Sequence, residues 1–397
     1  VRIAVLDTGI DPGHPDFEGR IVAYRDFLTQ GTGASTATEP APEVGAASAG
    51  AAGAAGLAGT TGPAGSTGPA GTTGPVGAVG RASEMTDPNG HGTHVAGIAA
   101  GSGAGSDGLY RGVAPEADLV IARVLDASGN GRTSDVMAGL EWALGQSAQV
   151  VNVSLGGPPY PGDGTDAFSL LVNAAVDAGA VVCVAAGNLG PAAGTIGSPA
   201  AASAAITVGA SVSDPGTAGD EVAQFSSRGP TGDGRQKPDL LFPGVSIAAP
   251  RSAGTALGRP VDSLYTALDG TSQATPMASG SAALLLQANP RLSPDEIKSR
   301  MRRGARLLPG VPDTAQGAGR GDAYNTFVAA EGSPLEGGAG DGGGDGGGGG
   351  GDGGGGGGDG GGGGGEGRDG EPEGADPDPS PARGGCLAAI AAALRGR

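Results

Sequence analysis

Five short apolar runs, separated by helix-patterned stretches, constrain this chain more than any other feature. Residues 1–6, 119–125, 150–154, 181–184 and 206–208 are nearly continuous in Val, Ile, Leu and Ala. Runs of that length and composition fit parallel strands buried on both faces. Between them, residues 134–144 and 167–178 carry helical patterns, the first with the chain's single tryptophan, Trp142. Such alternation predicts an α/β fold in three layers, with a mostly parallel central sheet and helices on both faces, joined by right-handed crossovers. Open sheets of this kind build their sites at the carboxyl ends of the strands. Asp7 stands at the first such end.

A second stretch carries a nucleophile. Gly270-Thr271-Ser272 is a glycine turn running into the apolar helical pattern that ends in Leu284-Leu285-Leu286. Ser272 is thereby placed at a helix N-terminus, where unpaired N–H groups and the helix dipole favour negative charge. Taken alone, it is an ordinary helix cap. A serine attacks an amide only when a base takes its proton and a third group orients that base. Asn89-Gly90-His91-Gly92-Thr93-His94 reads as a loop entering a buried helix, with His91 at the entry and His94 one turn deeper. His91 is the candidate base and Asp7 the orienting group; His94 reads as core packing.

The motifs Ala4-Val5-Leu6-Asp7-Thr8-Gly9, His91-Gly92-Thr93-His94-Val95-Ala96-Gly97 and Gly270-Thr271-Ser272-Gln273-Ala274-Thr275-Pro276, in that order, resemble those of the subtilisin-like serine proteases, the subtilases. Tyr110-Arg111-Gly112-Val113-Ala114-Pro115, Ser226-Ser227-Arg228-Gly229-Pro230 and Lys237-Pro238-Asp239-Leu240 extend the likeness. The resemblance runs from residue 1 to about 330. It implies a subtilisin-like catalytic domain that hydrolyses peptide bonds through Asp7, His91 and Ser272 and an acyl-enzyme intermediate. By the same resemblance Asn188 is the oxyanion-hole donor, a position at which an asparagine after glycine is otherwise a turn former. Ser154-Leu155-Gly156 resembles the segment that pairs with the substrate backbone as an added strand. Ala185-Ala186-Gly187 resembles the segment on the other side of the specificity pocket, and Gly197 lies in the stretch that resembles its floor; a deep floor implies a preference for bulky apolar residues before the cleaved bond. One departure is Gln273, where the family most often has methionine; glutamine removes an oxidisable thioether next to the nucleophile.

Glycine, 85 of 397 residues, is too abundant for one ordinary domain. Residues 31–84 read as an insertion, a surface loop that leaves the triad intact because closure entropy grows slowly with length. Within it, residues 50–82 have glycine at every third position for eleven triplets, three with proline at the second place. That grammar is collagen-like and fits either a flexible exposed segment or a marginal triple helix. Residues 331–383 read as an acidic glycine-rich linker in which Asp345, Asp352, Asp359 and Glu366 recur every seven residues. Residues 384–397 form a short apolar-basic tail resembling bacterial sorting tails, well short of the roughly 20 residues that span a bilayer.

A formal charge of −18 argues against a nucleic-acid partner. The expected partners are protein or peptide substrates, with no clear membrane span and a monomeric state. Cys183 interrupts an apolar run and reads as a core residue, whereas Cys386 lies in the tail, so no disulfide is expected. The chemistry requires no cofactor. The resemblance does suggest a structural calcium ion with Asp16 of His14-Pro15-Asp16 as ligand, although residues 101–108 offer a hard cation little, and His14 reads as a turn residue. The chain opens inside a strand, so a processed or truncated form of a secreted or cell-surface protein is expected. The alternative from another class is a glycine-rich structural or adhesive surface protein carrying an inactive protease-like domain.

Overall fold

The computed structural model describes residues 1–28, 43–46, 84–212 and 220–328. The triplet repeat at 50–82, the linker at 331–383 and the tail at 384–397 lie outside the described residues, as does Cys386.

The chain order is β1 (Arg2–Asp7), β2 (Ile21–Asp26), β3 (Glu43–Ala46), α1 (His91–Ala100), β4 (Asp118–Arg123), β5 (Asn130–Arg132), α2 (Thr133–Gly145), β6 (Val150–Val153), β7 (Leu155–Gly156), α3 (Ala167–Asp177), β8 (Val181–Ala185) and β9 (Ile206–Val212). There follow β10 (Glu221–Val222), β11 (Leu240–Pro243), β12 (Ile247–Pro250), β13 (Arg259–Pro260), β14 (Tyr265–Leu268), α4 (Thr271–Ala288), α5 (Pro294–Arg303), α6 (Asp313–Gln316) and α7 (Ala323–Val328).

The central sheet runs β10-β9-β8-β6-β1-β4-β2, with β11 also on β9. Every pairing in it is parallel except β10 with β9. The predicted α/β architecture is therefore the observed one, and the five apolar runs are its inner strands. Both sheet faces are buried, which is why those strands lack polar alternation. Along β1, Ile3 and Val5 join the core beneath α1 and α4, whereas Ala4 and Leu6 join the core beneath α2 and α3. Val181 and Cys183 against Val182 and Val184 repeat the period of two on β8. Cys183 is a buried thiol, its pKa pushed up to about 12, first by burial.

Two helices, α1 with His91 and α4 with Ser272, position the site. All ten residues of α1 are buried, so the helix passes through the interior, packing on α4 and β1. Its close approach depends on Gly92, where a Cβ would come within 2.3 Å of the Gly9 carbonyl oxygen. Helix α5 begins with the capping box expected from its sequence: the Ser293 hydroxyl accepts from the Glu296 N–H, and the Glu296 carboxylate accepts from the Ser293 N–H.

The insertion contributes one described element, β3. It is the middle strand of a small sheet, β5-β3-β7, antiparallel on both sides. Residues 43–46 of the insertion are thus paired with the body of the fold, which a surface-loop reading did not anticipate.

Candidate active site

The carboxyl ends of three adjacent strands, β8, β6 and β1, carry the candidate residues. Asp7 closes β1, Ser154 follows β6, and Ala185-Ala186-Gly187-Asn188 closes and follows β8. Neighbouring strands lie about 4.8 Å apart. Strand order thus brings Asp7, Ser154 and the 185–188 segment together, while His91 and Ser272 come from the starts of α1 and α4.

Asp7 and His91 meet directly. The His91 Nδ1 donates to Asp7 Oδ1 at 2.7 Å, both side chains essentially inaccessible to water. Asp7 Oδ1 also accepts from the Thr8 N–H at 2.8 Å, which fixes the carboxylate. With the proton on Nδ1, His91 Nε2 is left as an acceptor; it is buried and makes no hydrogen bond among the described residues. Burial alone would lower the His91 pKa. The charge and hydrogen bond of Asp7, with the charge of Asp87, outweigh it, and the pKa stands above its ordinary 6.5.

Asp87 is a site-supporting residue that sequence reasoning missed. Its carboxylate is buried and accepts from the Gly90 N–H at 2.8 Å, the Thr93 N–H at 2.7 Å, and the hydroxyls of Thr8 and Thr93 at 2.8 and 2.6 Å. Two of the orphan N–H groups at the start of α1 are satisfied in this way. Thr8 in turn accepts from the Gly92 N–H at 2.9 Å. The first turn of α1 is thus tied to the strand end that bears Asp7. An acidic residue shortly before an N-terminal glycine turn was the sequence signal available.

Ser272 is the second residue of α4 and fully buried. Its hydroxyl donates to the Ser154 carbonyl at 3.1 Å, and the Ser154 hydroxyl donates to the Ser272 carbonyl at 2.9 Å. The second contact has a cause in the sequence. Pro276 lies inside α4, four residues after Ser272, and lacks the N–H that would have closed the helical bond to that carbonyl. Ser154 supplies the donor instead, and its hydroxyl is oriented by Asn152 Nδ2 at 2.9 Å, with Ser279 donating to Asn152 Oδ1 at 2.9 Å. The serine is therefore anchored to β6, the strand next to Asp7.

Asn188 is fixed through its oxygen. Oδ1 accepts from both the N–H and the hydroxyl of Thr271, each at 3.0 Å, and the Gly187 N–H donates to the Thr271 hydroxyl at 3.2 Å. The segment 185–188 is thus joined to the N-terminus of α4. Gly197 has a firm steric requirement: a Cβ there would meet the carbonyl oxygens of Gly157 and Pro158 at 2.5 and 2.7 Å. Close backbone approach demands the glycine, a reason separate from any space it leaves in a pocket.

His94 is buried with Nε2 facing the carbonyls of Ile247 and Thr266 at 3.0 and 3.1 Å. Burial first, then His91, lowers its pKa to about 3, so it is a neutral core residue. His14 is also more than a turn residue: it is buried, caps the short 3₁₀ turn through Nδ1, and contacts the Leu264 carbonyl through Nε2 at 3.0 Å.

The Asp16 carboxylate does not fit a calcium ion. Its two oxygens accept from the Tyr265 hydroxyl at 2.9 and 3.0 Å, and Oδ1 also accepts from the Gly105 N–H at 2.9 Å. Hydrogen-bond donors stand where a cation would need further oxygens. Burial first, then the neighbouring Asp16, pushes the Tyr265 pKa up to about 12, keeping the phenol a donor. Among the described residues no cluster of three His, Cys, Asp or Glu could hold a metal, and no helix is long and apolar enough to cross a membrane.

Sheet order, strand-end placement and the buried Asp7–His91 pair define a subtilisin-like α/β protein, and the family model agrees. The chain belongs to the subtilase family, whose model matches residues 1–319. Among its relatives, serine protease AprX of Bacillus subtilis (strain 168) is 38% identical over 343 residues, covering 82% of this chain and 66% of that protein. Subtilisin E of the same organism is 38% identical over 224 residues, covering 56% of this chain and 52% of that protein. The chain therefore spans less than two thirds of either relative's length. Among solved structures, a cold adapted subtilisin-like serine proteinase aligns with a TM-score of 0.53 and 29% identity, over 81% of this chain and 86% of the other. Fervidolysin from Fervidobacterium pennivorans, a keratinolytic enzyme related to subtilisin, aligns with a TM-score of 0.60 and 25% identity, over 85% of this chain and 43% of the other.

Proposed function

We propose that the chain is a serine endopeptidase whose catalytic unit lies within residues 1–330. The observation that carries this reading is the buried Asp7–His91 hydrogen bond one strand away from a serine held at a helix N-terminus. The Ser272 hydroxyl turns from the Ser154 carbonyl toward His91 Nε2, gives up its proton there and attacks the peptide carbonyl. Asp7 holds the imidazole in the required tautomer and stabilises the cation that forms. Asn188, its oxygen committed to Thr271, directs its amide N–H with the Ser272 N–H at the developing oxyanion. His91 then protonates the leaving amine, and water releases the acyl group by the reverse sequence. Substrate backbone adds as a strand along 154–156, facing Ala185, Ala186 and Gly187, with bulky apolar residues favoured before the cleaved bond.

The test is labelling by a fluorophosphonate probe, which traps an activated serine. Labelling of the full chain, abolished in Ser272→Ala, supports the proposal. An unlabelled but folded chain would point to an inactive protease-like domain. For specificity, faster cleavage of peptides with Arg or Glu than with Phe or Leu before the scissile bond would refute the apolar preference.

A further inference from the structure

The edge to which a substrate would add is not open along its whole length. Strand β3 from the insertion lies between β5 and β7. Glu43, Val44 and Gly45 stand opposite Arg132, Gly131 and Asn130 on one side, and Gly45 and Ala46 opposite Gly156 and Leu155 on the other. The strand also has a direction. Passing from Gly45 to Ala46 moves the chain from Gly156 to Leu155, and hence toward Ser154, whose carbonyl accepts from the Ser272 hydroxyl. A peptide that presents a carbonyl to Ser272 while pairing antiparallel with 155–156 must run this way.

From this register we infer that Glu43–Ala46 is a tethered occupant of the peptide-binding cleft, competing in cis with external substrate for the backbone groups of 130–132 and 155–156. The inference rests on the peptidase reading above. An edge strand offers one set of N–H and C=O groups, so two peptides cannot use it at once. A tether of this kind supplies an effective concentration of about 1 mM. Against a strand affinity in the ordinary range of KM values, about 0.1 mM, the closed form outnumbers the open one about tenfold. The apparent KM rises by that factor while kcat is unchanged, because saturating substrate displaces the strand.

Gly45 is paired on both sides, so Gly45→Pro in the full chain removes a ladder N–H from the centre of the small sheet. With a Phe-p-nitroanilide peptide as substrate, Gly45→Pro should lower KM about tenfold at constant kcat. A second variant, with residues 30–83 replaced by a short Gly-Ser linker, should do the same. A parallel measurement needs no turnover. In the Ser272→Ala background, anisotropy of a fluorescein-labelled Gly-Ala-Ala-Phe amide should show about tenfold tighter binding when Gly45→Pro is added. Unchanged KM and unchanged binding in both variants would overturn the inference. Loss of fluorophosphonate labelling together with tighter peptide binding would remove the hydrolytic reading and leave the occupied cleft standing.

Discussion

The mutual grip of Ser154 and Ser272 can be tested through Pro276, which lies in α4 four residues after Ser272. In Ser154→Ala, the Ser272 carbonyl and Asn152 Nδ2 both lose a partner, in residues with no exposed surface. A buried polar group left unpaired costs about 1–3 kcal/mol, so the two together, allowing for relaxation, cost about 2–4 kcal/mol. Pro276→Ala restores the N–H that a helix directs at the carbonyl four residues earlier, which is that of Ser272. The carbonyl's share of the loss should therefore return in the double variant, giving a coupling of about 1–2 kcal/mol. Pro276→Ala alone is uninformative, because it also deletes a buried ring; the double-mutant cycle cancels that contribution. The assay is guanidinium unfolding followed by the fluorescence of Trp142, which packs edge-on against Phe27 with ring centroids 5.9 Å apart. Every variant is made in Ser272→Ala, which keeps the backbone carbonyl and prevents digestion of unfolded chains. Additive effects, with coupling under about 0.5 kcal/mol, would refute the account of why Ser154 is there.

Three further predictions concern the chemistry. His91 must be neutral to act as a base, and its pKa lies above 6.5, so kcat/KM should rise with pH through a midpoint above that value. Asp87→Asn removes one of the charges holding the pKa up, so its pH profile should move to lower pH; an unmoved midpoint contradicts the assignment. Asn188→Ala should lower kcat about 10²–10³-fold with little change in KM, whereas Thr271→Val, which keeps the N–H on Asn188 Oδ1, should lose less than about tenfold in steady-state assays. Gln273 is buried next to Ser272, the proposed nucleophile, so activity should withstand peroxide better than in Gln273→Met, where sulfoxide formation is followed by mass spectrometry. Equal inactivation of the two proteins would exclude this effect of the side chain.

The elements in the chain were legible because their causes are local. Apolar runs such as 181–184 cannot be satisfied except by burial on both faces, and the Ser293–Glu296 box satisfies a helix start from residues three apart. The candidate residues Asp7, His91 and Ser272 could be named because each sits in a short motif at a strand end or helix start. What the motifs left out are the residues that hold them. Asp87 contacts Thr8 across 79 positions, Ser154 contacts Ser272 across 118, and Tyr265 contacts Asp16 across 249. No local pattern encodes such pairs, because hydrogen-bond partners at that separation are chosen by strand order and helix packing.

Sequence alone thus determined the α/β class and marked Asp7, His91 and Ser272 as candidates, since backbone periodicity and functional-group chemistry are properties of short segments. Tertiary structure decided the rest. It turned the Ser272 hydroxyl to the Ser154 carbonyl, filled the Asp16 carboxylate with protein donors, and paired Glu43–Ala46 with 130–132 and 155–156. Each of these depends on which unpaired donors and acceptors meet once the sheet is assembled, and buried polar groups take the partners that packing brings to them.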